Sequence, residues 1–103
     1  MITILFYMTV KPERDNEWRT LLPQLTQSTR AEDDGCLSYV YHRQTDNPLE
    51  YLLYEQWEDE DALTRHMRRL VQVFGPPPPG ERLPARFLDH LDRTSSVRYE
   101  VLG

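Results

Sequence analysis

Residues 36–57 read CLSYVYHRQTDNPLEYLLYEQW, two runs dense in aromatic and aliphatic side chains around Thr45-Asp46-Asn47-Pro48. Such runs separated by turn formers predict two strands, 36–43 and 50–57, joined as a hairpin with a longer connection. Just upstream, Asp33-Asp34-Gly35 is turn chemistry, and Gly35 is able to take the positive φ that closes a helix.

Working outward, Trp18, Leu21, Leu22 and Leu25 fall at i, i+3, i+4 and i+7. That spacing places them on one face of a helix over 13–32, which Pro23 should kink or restart. Beyond the hairpin, Ala62, Leu63, His66, Met67, Leu70, Val71 and Phe74 form a stripe of period near 3.6, predicting a helix over 59–74. Its first turn holds Asp59, Glu60 and Asp61 and its later turns Arg65, Arg68 and Arg69, the arrangement a helix dipole favours. GPPPPGERLP (75–84) is a stiff extended connector. A short helix is expected over 85–92, burying Phe87, Leu88 and Leu91. At the chain's ends, ITILFYMTV (2–10) is a first strand stopped by Lys11-Pro12, and 96–102 a last strand with Val97, Tyr99 and Val101 on one side. The order is βαββα(α)β, an α+β, ferredoxin-like single domain over 1–103 with one antiparallel sheet and an extra short helix before the last strand.

The strands are apolar on both faces. Ile2, Ile4, Phe6, Met8 and Val10 oppose Met1, Leu5 and Tyr7; Val40 opposes Leu37, Tyr39 and Tyr41; Leu52 and Tyr54 oppose Tyr51, Leu53 and Trp57. A sheet with one wet face should alternate apolar with polar, and two main helices cover one side only. The second face therefore predicts a homodimer with sheets packed face to face, the alternative being a monomer whose tyrosines tolerate solvent.

Hydrophobic residues are 39% of 103 with six tyrosines counted, so apolar material is scarce and its placement matters. Twelve basic residues against 17 acidic give a net charge of −5, and Lys11 is the one lysine. That balance argues against nucleic acid and anionic membrane as partners. Cys36 stands alone, so no intramolecular disulfide forms, and Met1–Val10 lacks the basic start and cleavage site of a signal peptide. A cytoplasmic location follows as the expectation.

His42, His66 and His90 are too far apart in sequence for a recognisable ligand motif, and no metal site is read from them. The acidic run 58–61 is explained by capping, and four glycines form no phosphate loop, so no nucleotide cofactor is expected. His66 lies on or beside the apolar stripe, where its pKa is open to tuning for base work; a satisfied core-edge histidine is the plainer alternative. Tyr7, Tyr39, Tyr54 and Tyr99 are candidates to line a substrate pocket between sheet and helices, or to pack a dimer interface.

The stretches EDDGCLSY (32–39) and LLYEQWEDEDALTRHM (52–67) resemble the antibiotic-biosynthesis monooxygenase family, the dimeric α/β-barrel group that includes quinol monooxygenases. The likeness is carried by Asp33, Gly35, Cys36, Tyr39, Tyr54, Glu55, Trp57, Asp59, Ala62, Leu63 and His66, and departs at the proline-rich connector. It implies a small homodimer whose relatives insert one oxygen atom from O2 into aromatic or quinol substrates without metal, flavin or haem. It also implies a functional role for Trp57, which some members use to hold a substrate or oxygen-derived anion. Those members carry Asn four residues earlier, where this chain has Leu53.

The function expected is thus a cofactor-independent monooxygenase of a small aromatic or quinol compound, with Trp57 and His66 as catalytic candidates. The alternative is a non-catalytic ligand-binding or interaction module on the same fold. Haem degradation, known in a related branch, is set aside: strand one has no Asn, and His66 and Pro76 stand where that branch has Trp and His.

Overall fold

In the computed structural model, which describes all 103 residues, four extended segments pair into one antiparallel sheet. They are β1 (Ile2–Val10), β2 (Cys36–Arg43), β3 (Glu50–Trp57) and β4 (Leu91–Tyr99), in the spatial order β2-β3-β1-β4. A 3-10 turn (Pro12–Arg14) leads into α1 (Asp15–Glu32); α2 (Glu60–Phe74) follows β3, and the single-turn α3 (Ala85–Leu88) precedes β4. This is the expected ferredoxin-like α+β fold, including the extra short helix.

Alternation decides which side chains meet the helices. Tyr51, Leu53, Glu55 and Trp57 of β3 are buried, and β1 sets Met8 opposite Tyr51, Phe6 opposite Leu53, Ile4 opposite Glu55 and Ile2 opposite Trp57. Ile4, Met8, Val10, Tyr51, Leu53 and Trp57 form one core with Trp18, Leu21 and Leu25 of α1 and Ala62, Leu63 and Leu70 of α2. Each fully buried large side chain here contributes about 1.5–3 kcal/mol of transfer free energy. The start of α2 is fixed by Asp59, whose carboxylate accepts from the Ala62 N–H at 2.8 Å. Gly35, at φ +84°, lets the α1–β2 turn lie so close to α2 that an added Cβ would stand 2.6 Å from Ala62 Cβ.

α1 runs through Pro23 without restarting: the ring lies on the exposed side, while buried Leu21 and Leu25 anchor the helix on both sides of it. Three expectations are corrected. The last strand begins at Leu91 rather than Ser96 and ends at Tyr99, leaving Val101 outside it. The short helix correspondingly stops at Leu88, because Leu91 already pairs with Val10 through an irregularity at Thr9/Val10. Leu37 does not join Tyr39 and Tyr41 on the inward face; an irregularity between Cys36 and Ser38 pushes it out, and it is 54% exposed.

The other sheet face carries Leu5, Tyr7, Val40, Leu52, Tyr54, Val97 and Tyr99 with no helix over it. Its outer members are open, Tyr7 at 41% and Tyr99 at 50%. No helix of the chain is long and apolar enough to cross a membrane.

Candidate active site

Register places Tyr39, Glu55, Ile4 and Arg98 in one row across the four strands, all on the helix side. The inward residues of β4 in the next rows, Ser96 beside Phe6 and Thr94 beside Met8, are short and polar. Neither of these short side chains reaches α2, and a cavity of 240 Å³ remains between sheet, helix and connector. Its apolar wall is Ile4, Phe6, Leu63, Met67, Leu83 and Leu88. Its polar groups are Glu55, which is buried, and Thr94, Ser96, Glu81, Arg82 and Arg98, which are exposed. Drug-sized ligands occupy about 300–1,000 Å³, so this space suits a smaller one of one or two rings.

Glu55 is the buried ionisable group of that cavity. Its Oε1 accepts the indole N–H of Trp57 at 2.7 Å. Burial pushes its pKa up to about 7, the Trp57 hydrogen bond holding it back in part. A carboxyl poised there exchanges protons readily near neutral pH, which is what acid–base chemistry requires.

Behind Glu55 lies a buried chain of contacts. His66 stacks on Trp57 with ring centroids 4.5 Å apart, and Tyr39 meets both rings edge-on, at 5.4 Å from His66 and 6.4 Å from Trp57. His66 Nδ1 lies 2.6 Å from Asp33 Oδ2; a carboxylate only accepts, so Nδ1 carries the proton. Arg69 donates to both oxygens of Asp33, at 2.5 and 3.1 Å, and to Ser28 Oγ at 2.8 Å. The Arg69–Asp33 pair is thus neutral without help from His66, and burial, outweighing Asp33, lowers the histidine pKa. The Tyr39 phenol is driven well above its usual pKa by burial, and its hydroxyl lies 3.4 Å from that of Tyr41.

The residues proposed from sequence are dispersed by this geometry. Trp57 and His66 do come together, but in the layer behind the cavity: Trp57 is wholly buried, His66 is 2% exposed, and neither lines the cavity wall. Of the four candidate tyrosines, only Tyr39 lies between sheet and helices. Tyr7, Tyr54 and Tyr99 project from the opposite face, because each sits one residue out of phase with the inward set of its strand. Leu53, at the position where some relatives have Asn, is buried in the core and does not line the cavity. Glu55 carries the family likeness in the sequence but was given no role there, and it is the buried carboxyl of this cavity. Its signal was available: in EYLLYEQW, alternation puts it in phase with Tyr51, Leu53 and Trp57, a carboxylate on an otherwise apolar inward face.

No group of three or more His, Cys, Asp or Glu side chains is placed to hold a metal ion. Two larger hollows, 760 Å³ along α1 and α3 and 530 Å³ beside α1 and β2, are more open to solvent, and neither contains a buried carboxyl.

Comparison with known proteins agrees with this architecture. The chain is 32% identical over 66 residues to the Bacillus subtilis (strain 168) protein named "Putative monooxygenase YcnE", covering 64% of this chain and 68% of that one. A crystal structure of an antibiotic biosynthesis monooxygenase superposes over the full length of both chains with a TM-score of 0.77 at 20% identity. PA3566 from Pseudomonas aeruginosa superposes with a TM-score of 0.76 at 23% identity, over 99% of this chain and 94% of that one. The profile of the family described as "Antibiotic biosynthesis monooxygenase" matches residues 1–71, the span holding Glu55, Trp57 and His66, and the chain belongs to that family.

Proposed function

We propose that the protein is a monooxygenase that inserts one oxygen atom from O2 into a small aromatic or quinol substrate, with Glu55 as the proton acceptor. The observation that carries this reading is a buried carboxyl, its pKa at about 7, facing a small cavity with one apolar wall. Family membership and the name of the B. subtilis relative support the reaction class.

Taking a quinol as the case, Glu55 accepts a phenolic proton and the phenolate passes one electron to O2, which circumvents the spin barrier to direct reaction. Semiquinone and superoxide join at a ring carbon, and the peroxide takes the proton back. Breakage of the O–O bond and of the C–H bond at that carbon releases water and leaves a carbonyl, the enolised product being a hydroxyquinone. One O2 is consumed, one oxygen is retained and one leaves as water, the substrate supplying all four electrons. The chain's part is to orient the ring and hold the proton. Trp57 and His66 act here as positioning residues, the first through its hydrogen bond to Glu55 and the second by stacking on that indole.

The test is O2 uptake with a panel of hydroquinones and anthrones under chelation, with one labelled oxygen recovered in product from ¹⁸O2. Uptake that collapses in Glu55→Gln supports the reading. Uptake unchanged in that variant overturns it, and ligand binding without uptake assigns the non-catalytic module instead.

The same reading takes the protein as a homodimer closed through the outer sheet face, since Leu5, Leu52, Tyr54 and Val97 have no cover within the chain. Sedimentation at micromolar concentration is expected to give a species of twice the 12.3 kDa chain mass. A clean single-chain species refutes the dimer.

A further inference from the structure

The inner end of the cavity carries the reacting carboxyl, and its sheet-side rim carries the guanidinium of Arg98. Glu55 and Arg98 lie in the same row, separated by Ile4 on β1, so their backbones are two strand spacings apart, about 10 Å. Arg98 donates from Nη1 and Nη2 to the two carboxylate oxygens of Glu60, the first residue of α2. The fork is therefore already turned to grip a carboxylate. Both partners are about half exposed or more, so the pair is weak and exchangeable. Arg82, on the connector, lines the same cavity and has no carboxylate within ion-pair distance. Glu81 lines it too, so the rim is not simply cationic; two arginines reach the cavity, one gripping a carboxylate in fork geometry and one unpaired.

From this arrangement we propose that the substrate is a hydroquinone bearing a carboxylate: its hydroxyl meets Glu55, its ring fills the apolar wall, and its carboxylate takes Arg98 from Glu60 with Arg82 alongside. This rests on the function proposed above and narrows it from quinols in general to aromatic hydroxy acids. Arginine is suited to the part, because its planar fork matches a carboxylate in two hydrogen bonds. The position meets the reaction's needs as well. A ring tethered at the rim presents its far hydroxyl to the buried carboxyl, and the balance is unchanged: hydroquinone carboxylate plus O2 gives hydroxyquinone carboxylate plus water.

The experiment is anaerobic calorimetry with 2,5-dihydroxybenzoate and 1,4-dihydroxy-2-naphthoate, each against its neutral carboxamide, and with aminomethyl hydroquinone as the cationic counterpart. At least one acid is expected to bind tighter than its amide by about tenfold or more, the scale of a lost charge-assisted hydrogen bond. In Arg82→Gln/Arg98→Gln that preference is expected to vanish. Equal binding of acid and amide, tighter binding of the amine, failure of both acids to bind, or a preference that survives the double variant overturns the proposal. O2 uptake read separately keeps the two readings apart. Arginine-dependent binding of the acid without uptake leaves the substrate class standing and fells the oxygenase; uptake on neutral quinols with no acid preference does the reverse.

Discussion

The indole N–H of Trp57 donates to Oε1 of Glu55 at 2.7 Å, a bond between inward neighbours two residues apart on one strand. Neither side chain alone has the property the site needs: burial raises the Glu55 pKa, and the indole moderates the rise. Trp57→Phe keeps a ring against His66 and deletes the donor. The acidic limb of the pH profile of O2 uptake is then expected to move upward by about one unit, the scale of one lost hydrogen bond. A limb that stays in place assigns Trp57 to packing alone.

Glu55 also makes stability depend on pH. Its folded pKa of about 7 lies above the unfolded value of 4.5, so the folded state binds the proton more tightly. The associated stability is fully present below pH 4.5 and is lost as pH rises through 7. Glu55→Gln, neutral at every pH, is expected to be more stable than the parent above about pH 8, by roughly 1–3 kcal/mol, with no such gain at low pH. Urea midpoints at the two ends of that range decide it, and oxygen uptake in the same variant should fall by about 10²–10⁴.

His66 works in the opposite sense. Its folded pKa lies below the unfolded value of 6.5, so its contribution is complete above 6.5 and is lost as the pH falls and the buried ring must charge. Thermal unfolding is expected to show falling stability on acidification through the histidine range, a slope that His66→Gln flattens. Asp33→Asn removes the carboxylate that faces both His66 and Arg69 and is expected to cost about 3 kcal/mol or more.

Gly35→Ala and Gly80→Ala form a matched pair. Both glycines have positive φ, +84° and +80°, but only Gly35 would drive a Cβ to 2.6 Å from Ala62, while Gly80 has open space. Gly80→Ala is expected to lose about 1 kcal/mol to backbone conformation, and Gly35→Ala that plus about 1–3 kcal/mol of overpacking. Equal losses would mean that α2 yields without resistance.

The hairpin and both main helices were legible because their buried side chains are apolar and periodic: Tyr51, Leu53 and Trp57 at period two, Ala62, Leu63, His66 and Leu70 at 3.6. The first half of β4 was not, since Thr94 faces a cavity instead of a core and leaves no apolar alternation to read. Sites suffered in the same way. Trp57 and His66 stand out by residue type, yet what places Glu55 in front of them is its phase along β3. The path from Arg69 through Asp33 to His66 joins two residues of α2 to the turn that follows α1, a distance across the chain that spacing alone does not reveal.

β4 lies at the edge of the sheet, bonded to β1 alone, and its side chains from Asp92 to Tyr99 are exposed. The fold thereby divides labour between its strands. The side chains of Trp57, Glu55 and Tyr39 are locked into the shared interior, whereas the strand that shapes the cavity floor can exchange Thr94 and Ser96 for bulkier or more polar groups with little disturbance to anything beneath. Substrate choice in such a scaffold can drift by single substitutions along one margin while the proton-handling centre stays fixed.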